Sequence, residues 1–489
     1  MSQRGSDIPE GKPESPRASV TRREFLRGAA AVASAAVLAS CAPQAREGGT
    51  VAPTRAPGER PLAGQQRGDR PNFVFILVDD QRWDHLSCMG HPFLETPNMD
   101  RLAEDGVLFE NAFVTTSLCS PSRASFLTGL YAHTHGVQNN LTPWDDGNIT
   151  FLELLGSAGY RNGFIGKWHM PGKLPNLRGV DRFVTFTVQG GQGRYFDCPL
   201  IVDGVEVARP GTYITEDLTN LAIDFIRGAQ EGPFCLYLSH KAVHHQFLPP
   251  DDLDDLYAKA DLSHLPEEYF SLQTLAAHNI YEGALGPLEV HYRNYNEALV
   301  AVDRELGRLL DELDDLGLAD STVVVFTSDN GYSWGEHQIN GKRLATEENM
   351  RIPFIVRYPG GIPNPGRRQA DMVLNVDLAP TLLDLAGVPV PEGMHGRSIR
   401  PLLMDRRVAW RESFLYEYFK DFPYNVPAHR ALRTDRYLYI EFEGRRAPEL
   451  YDIVSDRRTL HDIIDDPEGQ DVLPAMQALM REHTEGLSL

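Results

Sequence analysis

The sequence predicts an α/β fold: a large, mostly parallel central sheet flanked by helices, then a small C-terminal antiparallel sheet with a helix. Three observations carry this expectation. Unbroken apolar runs such as Asn72–Asp80 (NFVFILVDD), Phe234–Leu238 (FCLYL) and Thr322–Thr327 (TVVVFT) alternate with stretches of helical spacing, as strands buried on both faces require. Polar clusters stand directly behind these runs: Asp79-Asp80, Lys167 to His169, His244 and Asp329-Asn330. Beyond about Leu403 the texture changes to short β-type segments separated by turn signals.

In chain order, the first element is not part of the fold. Thr21-Arg22-Arg23-Glu24-Phe25-Leu26-Arg27 precedes a short apolar run that ends Leu38-Ala39-Ser40-Cys41. A basic stretch before a short apolar run reads as a secretory signal. The paired arginines resemble the twin-arginine export signal of bacteria, and the end of the run resembles a lipobox whose cysteine is acylated. Residues 1–40 are therefore expected to be a signal peptide. The expected location is exported, periplasmic or at the cell surface, with a lipid anchor at Cys41 holding the chain to a membrane surface. Residues 41–70, rich in Pro, Gly, Ala, Gln and Arg, cannot bury a core and read as a flexible tether.

The folded part is expected over 71–403, with a C-terminal subdomain over 404–489. Helices are predicted at Pro97–Asp105, Phe151–Ala158, Thr215–Arg227 and Tyr292–Leu316, the last with Ala298, Val302, Leu306, Leu309, Leu310 and Leu313 along one face. Strands are predicted at Tyr160–Ile165 and Pro353–Tyr358. In the C-terminal part, Glu412–Tyr418, Ala428–Arg433, Tyr437–Phe442 and Glu449–Ile453 read as a small antiparallel sheet and Val472–His483 as a helix.

Composition excludes several classes. The 489 residues carry 47 Lys+Arg against 68 Asp+Glu, a formal net charge of −21; such an acidic chain lacks the basic face of a general nucleic-acid binder. Five cysteines in this length cannot staple a disulfide scaffold.

The chemistry concentrates in Cys119-Ser120-Pro121-Ser122-Arg123-Ala124-Ser125-Phe126-Leu127-Thr128-Gly129. Pro121 suits the first turn of a helix, so Cys119 is expected at a helix N-terminus, where the dipole favours an anion and a thiol pKa is lowered. Arg123 follows one turn later. Asp79, Asp80, Asp329 and Asn330 are hard oxygen ligands, suited to Ca²⁺ or Mg²⁺.

Cys-x-Pro-x-Arg followed by Leu-Thr-Gly resembles the signature of the type I sulfatases, formylglycine-dependent enzymes with an alkaline-phosphatase-like fold. Asn72, Asp79-Asp80, Gly166-Lys167-Trp168-His169, Ser328-Asp329-Asn330-Gly331, Gly335-Glu336-His337, Lys342, the Asp377–Asp384 stretch and Glu449-Leu450-Tyr451-Asp452 match the same family in order. The resemblance spans about residues 70–465 and implies a sulfate monoester hydrolase. It implies that a formylglycine-generating enzyme converts Cys119 to the aldehyde Cα-formylglycine, whose hydrate attacks sulfur. It further implies Ca²⁺, with Mg²⁺ as the other candidate, held by Asp79, Asp80, Asp329, Asn330 and residue 119. Arg123, Lys167 and Lys342 are then the cations that face the sulfate, and His169 and His244 move protons. The family pattern around His244 has two prolines where this chain has Val243 and Gln246.

Phe414–Phe419 and Pro427-Ala428-His429-Arg430 ahead of Ala431-Leu432-Arg433, together with Ser120 and His133-x-His135-Gly136-Val137, resemble N-acetylglucosamine-6-sulfatases and enzymes that desulfate mucins or glycosaminoglycans. That implies a sulfated carbohydrate substrate, with His429 and Arg433 in its binding. Two other readings use the same residues: a phosphonate monoester hydrolase or phosphodiesterase, and a non-catalytic lipoprotein that binds sulfated glycans.

Overall fold

A computed structural model describes residues 70–267, 269 and 288–485; the predicted signal segment, the tether up to residue 69 and Cys41 lie outside them. Ten strands form one sheet: β1 (Asn72–Val78), β2 (Gly106–Phe109), β3 (Arg161–Gly166), β4 (Arg182–Thr185), β5 (Leu200–Val202), β6 (Val205–Val207), β7 (Phe234–Ser239), β8 (Thr322–Ser328), β9 (Phe354–Arg357) and β10 (Arg367–Gln369), in the order β10-β2-β9-β8-β1-β7-β3-β4-β5-β6. The central strands β8, β1, β7 and β3 are mutually parallel, with Asn72 opposite Thr322 and Phe73 opposite Cys235. β9 departs from that direction and runs antiparallel to both β8 and β2. Its apolar run fits either direction. The chain after Ser328 stays at the carboxyl edge of the sheet to build loops, so the next strand enters from that edge.

Helices α1 (Pro97–Glu104), α2 (Cys119–Thr128), α3 (Phe151–Ser157), α4 (Ile214–Gly228), α5 (Leu288–Asp315) and α6 (Leu378–Leu385) cover the two faces. β1 explains why its sequence is apolar throughout. Val74, Ile76 and Val78 share a core with Leu102 of α1, Leu218 of α4 and Leu306 of α5. The alternate residues Phe73, Phe75 and Leu77 pack with Phe126 of α2, Leu155 of α3 and Leu382 of α6. Each such side chain contributes roughly 1.5–3 kcal/mol by leaving water.

The C-terminal strands β11 (Ser413–Tyr418), β12 (His429–Thr434), β13 (Tyr437–Phe442) and β14 (Glu449–Asp452) form an antiparallel sheet in sequence order. One face, with Leu415, Leu432, Tyr439 and Leu450, receives Met476 and Met480 of α7 (Pro467–Thr484). The other face, with Phe414 and Tyr416, packs on Phe113 and Leu118. The Tyr416 hydroxyl and Ser117 Oγ share a hydrogen bond. This sheet therefore braces the segment that leads into Cys119. Among the described residues no helix is long and apolar enough to cross a membrane.

Where β3 ends, Gly166 has φ 118°, and a Cβ there would lie 1.8 Å from the Ser239 carbonyl oxygen of β7. Alanine cannot be placed without prising the two strands apart. Gly166→Ala is expected to cost about 2–4 kcal/mol, measured as a lower midpoint in denaturant unfolding; an unchanged midpoint would contradict this packing.

Candidate active site

The four parallel strands bring their carboxyl ends to one edge, where ligands bind in open α/β sheets. β1 delivers Asp79 and Asp80, β8 Asp329 and Asn330, β3 Lys167 to His169, and β7 Ser239 and the loop to His244. Backbone hydrogen bonds lock these loops together beyond the strands: Asp79 N to Ala242 O (2.9 Å), Asp329 N to Val78 O (3.0 Å) and Lys167 N to Ser239 O (2.8 Å). Asp80 takes a left-handed φ of 65°, and its N–H donates to Asp329 Oδ1 at 3.0 Å.

α2 adds the remaining pieces. Cys119 is its first residue and Arg123 lies one turn further on, so both side chains face the same edge. Cys119 Sγ lies 2.9 Å from Lys342 Nζ, 3.6 Å from Asp79 Oδ1 and 3.9 Å from Lys167 Nζ. Lys342 Nζ also binds Asp80 Oδ1, and Lys167 Nζ binds Asp79 Oδ2. Arg123 grips Asp329 through Nε at 2.9 Å and Nη2 at 2.8 Å, and donates to Lys167 O at 3.0 Å and to Ser239 Oγ. Asn330 Nδ2 donates to Asp80 Oδ1 at 2.6 Å. His244 Nε2 stands 3.9 Å from Asp80 Oδ2. Its neighbour His245 instead packs against Phe247 and His291. All of these cluster groups except His245 are buried. Three carboxylates thus face three cations out of water.

Burial alone would raise the Asp79 pKa, but Lys167, His244, Arg123 and Lys342 hold it well below the usual carboxylate range. Asp329 is raised, by burial and then by the like charge of Asp79, with Arg123 opposing. Two buried acids pushed apart in this way are a place where a divalent cation lowers the energy. His169 and His244 are both held well below the ordinary histidine value, first by burial and then by Lys167, which leaves them neutral near pH 7.

The expected activation of the Cys119 thiol does not occur. Burial raises its pKa, and this outweighs the lowering by Lys167 and Lys342; desolvating a thiolate at a 0% exposed position costs more than a helix N-terminus returns. As an unmodified thiol, residue 119 is a poor nucleophile.

His429 and Arg433 are not brought to this cluster. In β12 they alternate on the face that packs inward, opposite Tyr418 and Phe414 of β11. The His429 ring lies between Tyr416, Tyr418 and Phe442. Arg433 donates to Glu347 Oε1 at 3.1 Å and to Thr434 O at 2.6 Å, and its guanidinium covers Phe113. Strand periodicity spends both on holding the small sheet to the rest of the fold.

Sequence reading missed three contributors. Ser239 accepts from Arg123. Gln192 contacts both Lys167 and His169 at 2.6 Å. Tyr195 donates its hydroxyl to His244 O at 2.6 Å. The glycines around Gln192 were the available signal, since Gly190-Gly191-Gln192-Gly193 is a loop built for close backbone approach.

Could the site hold a metal ion? Carboxylate oxygens of Asp79, Asp80 and Asp329 lie within 4.8 Å of one another. Asn330 Oδ1, though buried, accepts no hydrogen bond among the described residues. Hard oxygens with one unused acceptor fit a hard divalent cation. Residue 119 beside such a cluster, with Lys167 and Lys342 touching both it and the carboxylates, suits the transfer of an anionic group.

Comparison with known proteins narrows this class. The sulfatase family matches residues 71–388, and the family described as N-sulphoglucosamine sulphohydrolase, C-terminal, matches residues 335–486. The chain belongs to the sulfatase family and is a sulfuric ester hydrolase. It is 32% identical over 466 residues to the N-acetylglucosamine-6-O-sulfatase of Bacteroides thetaiotaomicron, covering 81% of this chain and 82% of that one. The solved structure of BT4656 in complex with its substrate D-glucosamine-2-N,6-O-disulfate superposes with a TM-score of 0.78 at 28% identity, over 85% of this chain and 98% of that one. The phosphonate monoester hydrolase of Agrobacterium radiobacter shares the fold, with a TM-score of 0.70 at 24% identity over 85% and 96% of the two chains.

Arg123 should be the electrostatic keystone of the cluster. Arg123→Leu strands Asp329 without its partner and is expected to destabilise the fold by about 3–5 kcal/mol. Asp329→Asn in the same background should recover part of that loss. Denaturant unfolding of the two single variants and the double variant measures the coupling, and strict additivity would show that the pair does not interact.

Proposed function

We propose that this sulfatase removes sulfate from a sulfated carbohydrate, with 6-sulfated N-acetylglucosamine of glycosaminoglycans or mucins as the substrate unit. The observation that carries the chemistry is the position of residue 119, whose side chain lies 2.9 Å from Lys342, 3.6 Å from Asp79 and 3.9 Å from Lys167. The substrate class rests on the glucosamine disulfate held by the structural neighbour and on the named activity of the B. thetaiotaomicron relative.

Asp79, Asp80, Asp329 and Asn330 would hold the cation, Ca²⁺ in this reading, with residue 119 beside them. When bound, it supplies a positive charge that polarises oxygen at the reacting centre. Cys119 is the residue to be converted to formylglycine by a formylglycine-generating enzyme; the aldehyde adds water, and its hydrate supplies a hydroxyl nucleophile that a buried thiol does not. The chain's own groups do the rest. Lys167 and Lys342 flank residue 119 and offer ammonium donors to the sulfate oxygens. Arg123 binds Asp329, Lys167 O and Ser239, so it organises the site electrostatically. His169 and His244, neutral by burial, lie in the site as the groups that move protons during turnover. These side chains are buried, which strengthens each of their charges.

The discriminating measurement compares hydrolysis of N-acetylglucosamine-6-sulfate, an aryl sulfate and an aryl phosphodiester. Sulfate esters should turn over faster, activity should fall on exhaustive chelation and return with Ca²⁺, and Cys119→Ala should abolish it. Active preparations should carry a residue-119 peptide about 18 Da lighter than the thiol form. A faster diester reaction would favour the phosphonate hydrolase reading, and full activity with an unmodified thiol would sink the mechanism.

The same proposal places the enzyme outside the cytoplasm. Arg22-Arg23 routes it to twin-arginine export, and acylation of Cys41 holds it on a membrane surface through the tether. Cys41→Ala should move the protein from the membrane fraction to the soluble exported fraction; unchanged partitioning would exclude a lipid anchor at that residue.

A further inference from the structure

We propose that Gln192 is a positioning residue: its amide clamps Lys167 and His169 at a fixed spacing and dictates which nitrogen of His169 carries the proton. The argument is one of donors and acceptors. Lys167 Nζ has only N–H groups to offer, so the Gln192 atom 2.6 Å away must be the carbonyl oxygen. That fixes the other end of the amide as the NH₂ group, which lies 2.6 Å from His169 Nε2. An amide nitrogen only donates, so His169 Nε2 must accept, and in the neutral ring the proton sits on Nδ1. Turning the amide over would set its NH₂ against an ammonium and its oxygen against a ring nitrogen that then needs a proton.

The consequence lies at the other nitrogen. His169 is 6% exposed, and its Nδ1 is buried with no hydrogen-bond partner among the described residues. A buried N–H left without an acceptor is costly, and it is retained here in a segment whose main chain is tied to the residue after 119: Ser120 Oγ donates to His169 O. The geometry thus gives the resting enzyme a histidine that offers an N–H through Nδ1 while Nε2 is held by the protein. The part this plays in turnover rests on the hydrolytic reading above; the tautomer itself does not.

The loop that carries Gln192 is shaped for this contact. Gly191 has φ 87°, and a Cβ on it would lie 3.4 Å from His169 Cα and 3.6 Å from its ring. Gly193 has φ 74°, and a Cβ there would strike the Phe186 ring at 2.7 Å. Between them Gln192 is pressed onto the backbone of the Lys167–His169 segment. Ser239 and Ser120 hold main-chain oxygens of Lys167 and His169 from the other side. A clamp that orients two groups through hydrogen bonds typically accounts for 10–100-fold in activity.

The test reads the tautomer directly. Full-length protein made with Cys119 unconverted, and therefore silent in turnover, is labelled with ¹⁵N-histidine; His169→Gln identifies the His169 signals by their loss. Wild type should show a protonated Nδ1 and an unprotonated Nε2. Gln192→Glu replaces the donor by an acceptor and should move the proton onto Nε2, while Gln192→Ala should give a mixture. Signals of His169 that stay the same in both variants would overturn the proposal. In the converted enzyme, Gln192→Ala should lower kcat by about 10–100-fold with KM within about two-fold, and an unchanged kcat would overturn the positioning role. A wild-type enzyme without sulfate-ester turnover would defeat the functional reading and leave the spectroscopic result standing.

Discussion

Everything at this site follows from keeping three carboxylates and three cations buried together. Asp79, Asp80 and Asp329 could not remain in so buried a place alone, and Arg123, Lys167 and Lys342 could not either. Each has a partner of opposite sign, and together they are anchored by the ends of β1, β3 and β8, by α2 and by the loop that carries Lys342. This also explains how a strongly acidic chain can work on an anionic ester. Attraction comes from local cations whose field is undiluted in a water-poor site, and the net charge of −21 has little bearing on it.

The small C-terminal sheet belongs to the same arrangement. Its inner face, from Phe414 to Tyr418 and from His429 to Arg433, packs on Phe113 and Leu118 and ties to Ser117 and Glu347. Those contacts set where α2 begins, and so where residue 119 sits. Arg343, next to Lys342, is paired in turn with the buried Asp421 at 3.0 Å, so the loop between β11 and β12 also helps to place Lys342. The C-terminal part thus acts on the site through packing and ion pairs on both of its approaches.

Two sequence expectations failed for the same physical reason. The Cys119 thiol was expected to be acidic from its helix position, yet desolvation outweighs both the dipole and two lysines. His429 and Arg433 looked available for substrate, yet strand alternation turns them inward. Local sequence shows which groups exist and which direction a dipole has; burial, which decides the sign of both outcomes, is a property of the whole fold. The direction of β9 was hidden for a related cause, because an apolar run has no polarity of its own.

The sequence alone determined the fold class, the layers on either side of β1, the strand-end placement of Asp79, Asp80, Lys167, Asp329 and Asn330, and the pairing of Cys119 with Arg123. These depend on periodicities of two and 3.6 residues and on the rule that parallel strands share a carboxyl edge. The resemblance already singled out His244 and Lys342, but only the tertiary structure decided how near His244 stands to Asp80, that Lys342 is buried against residue 119, and that Gln192 joins Lys167 to His169. Each of these is a contact between segments separated by 23 to 262 residues. No local periodicity encodes such contacts; they exist because packing closes the loops on one another.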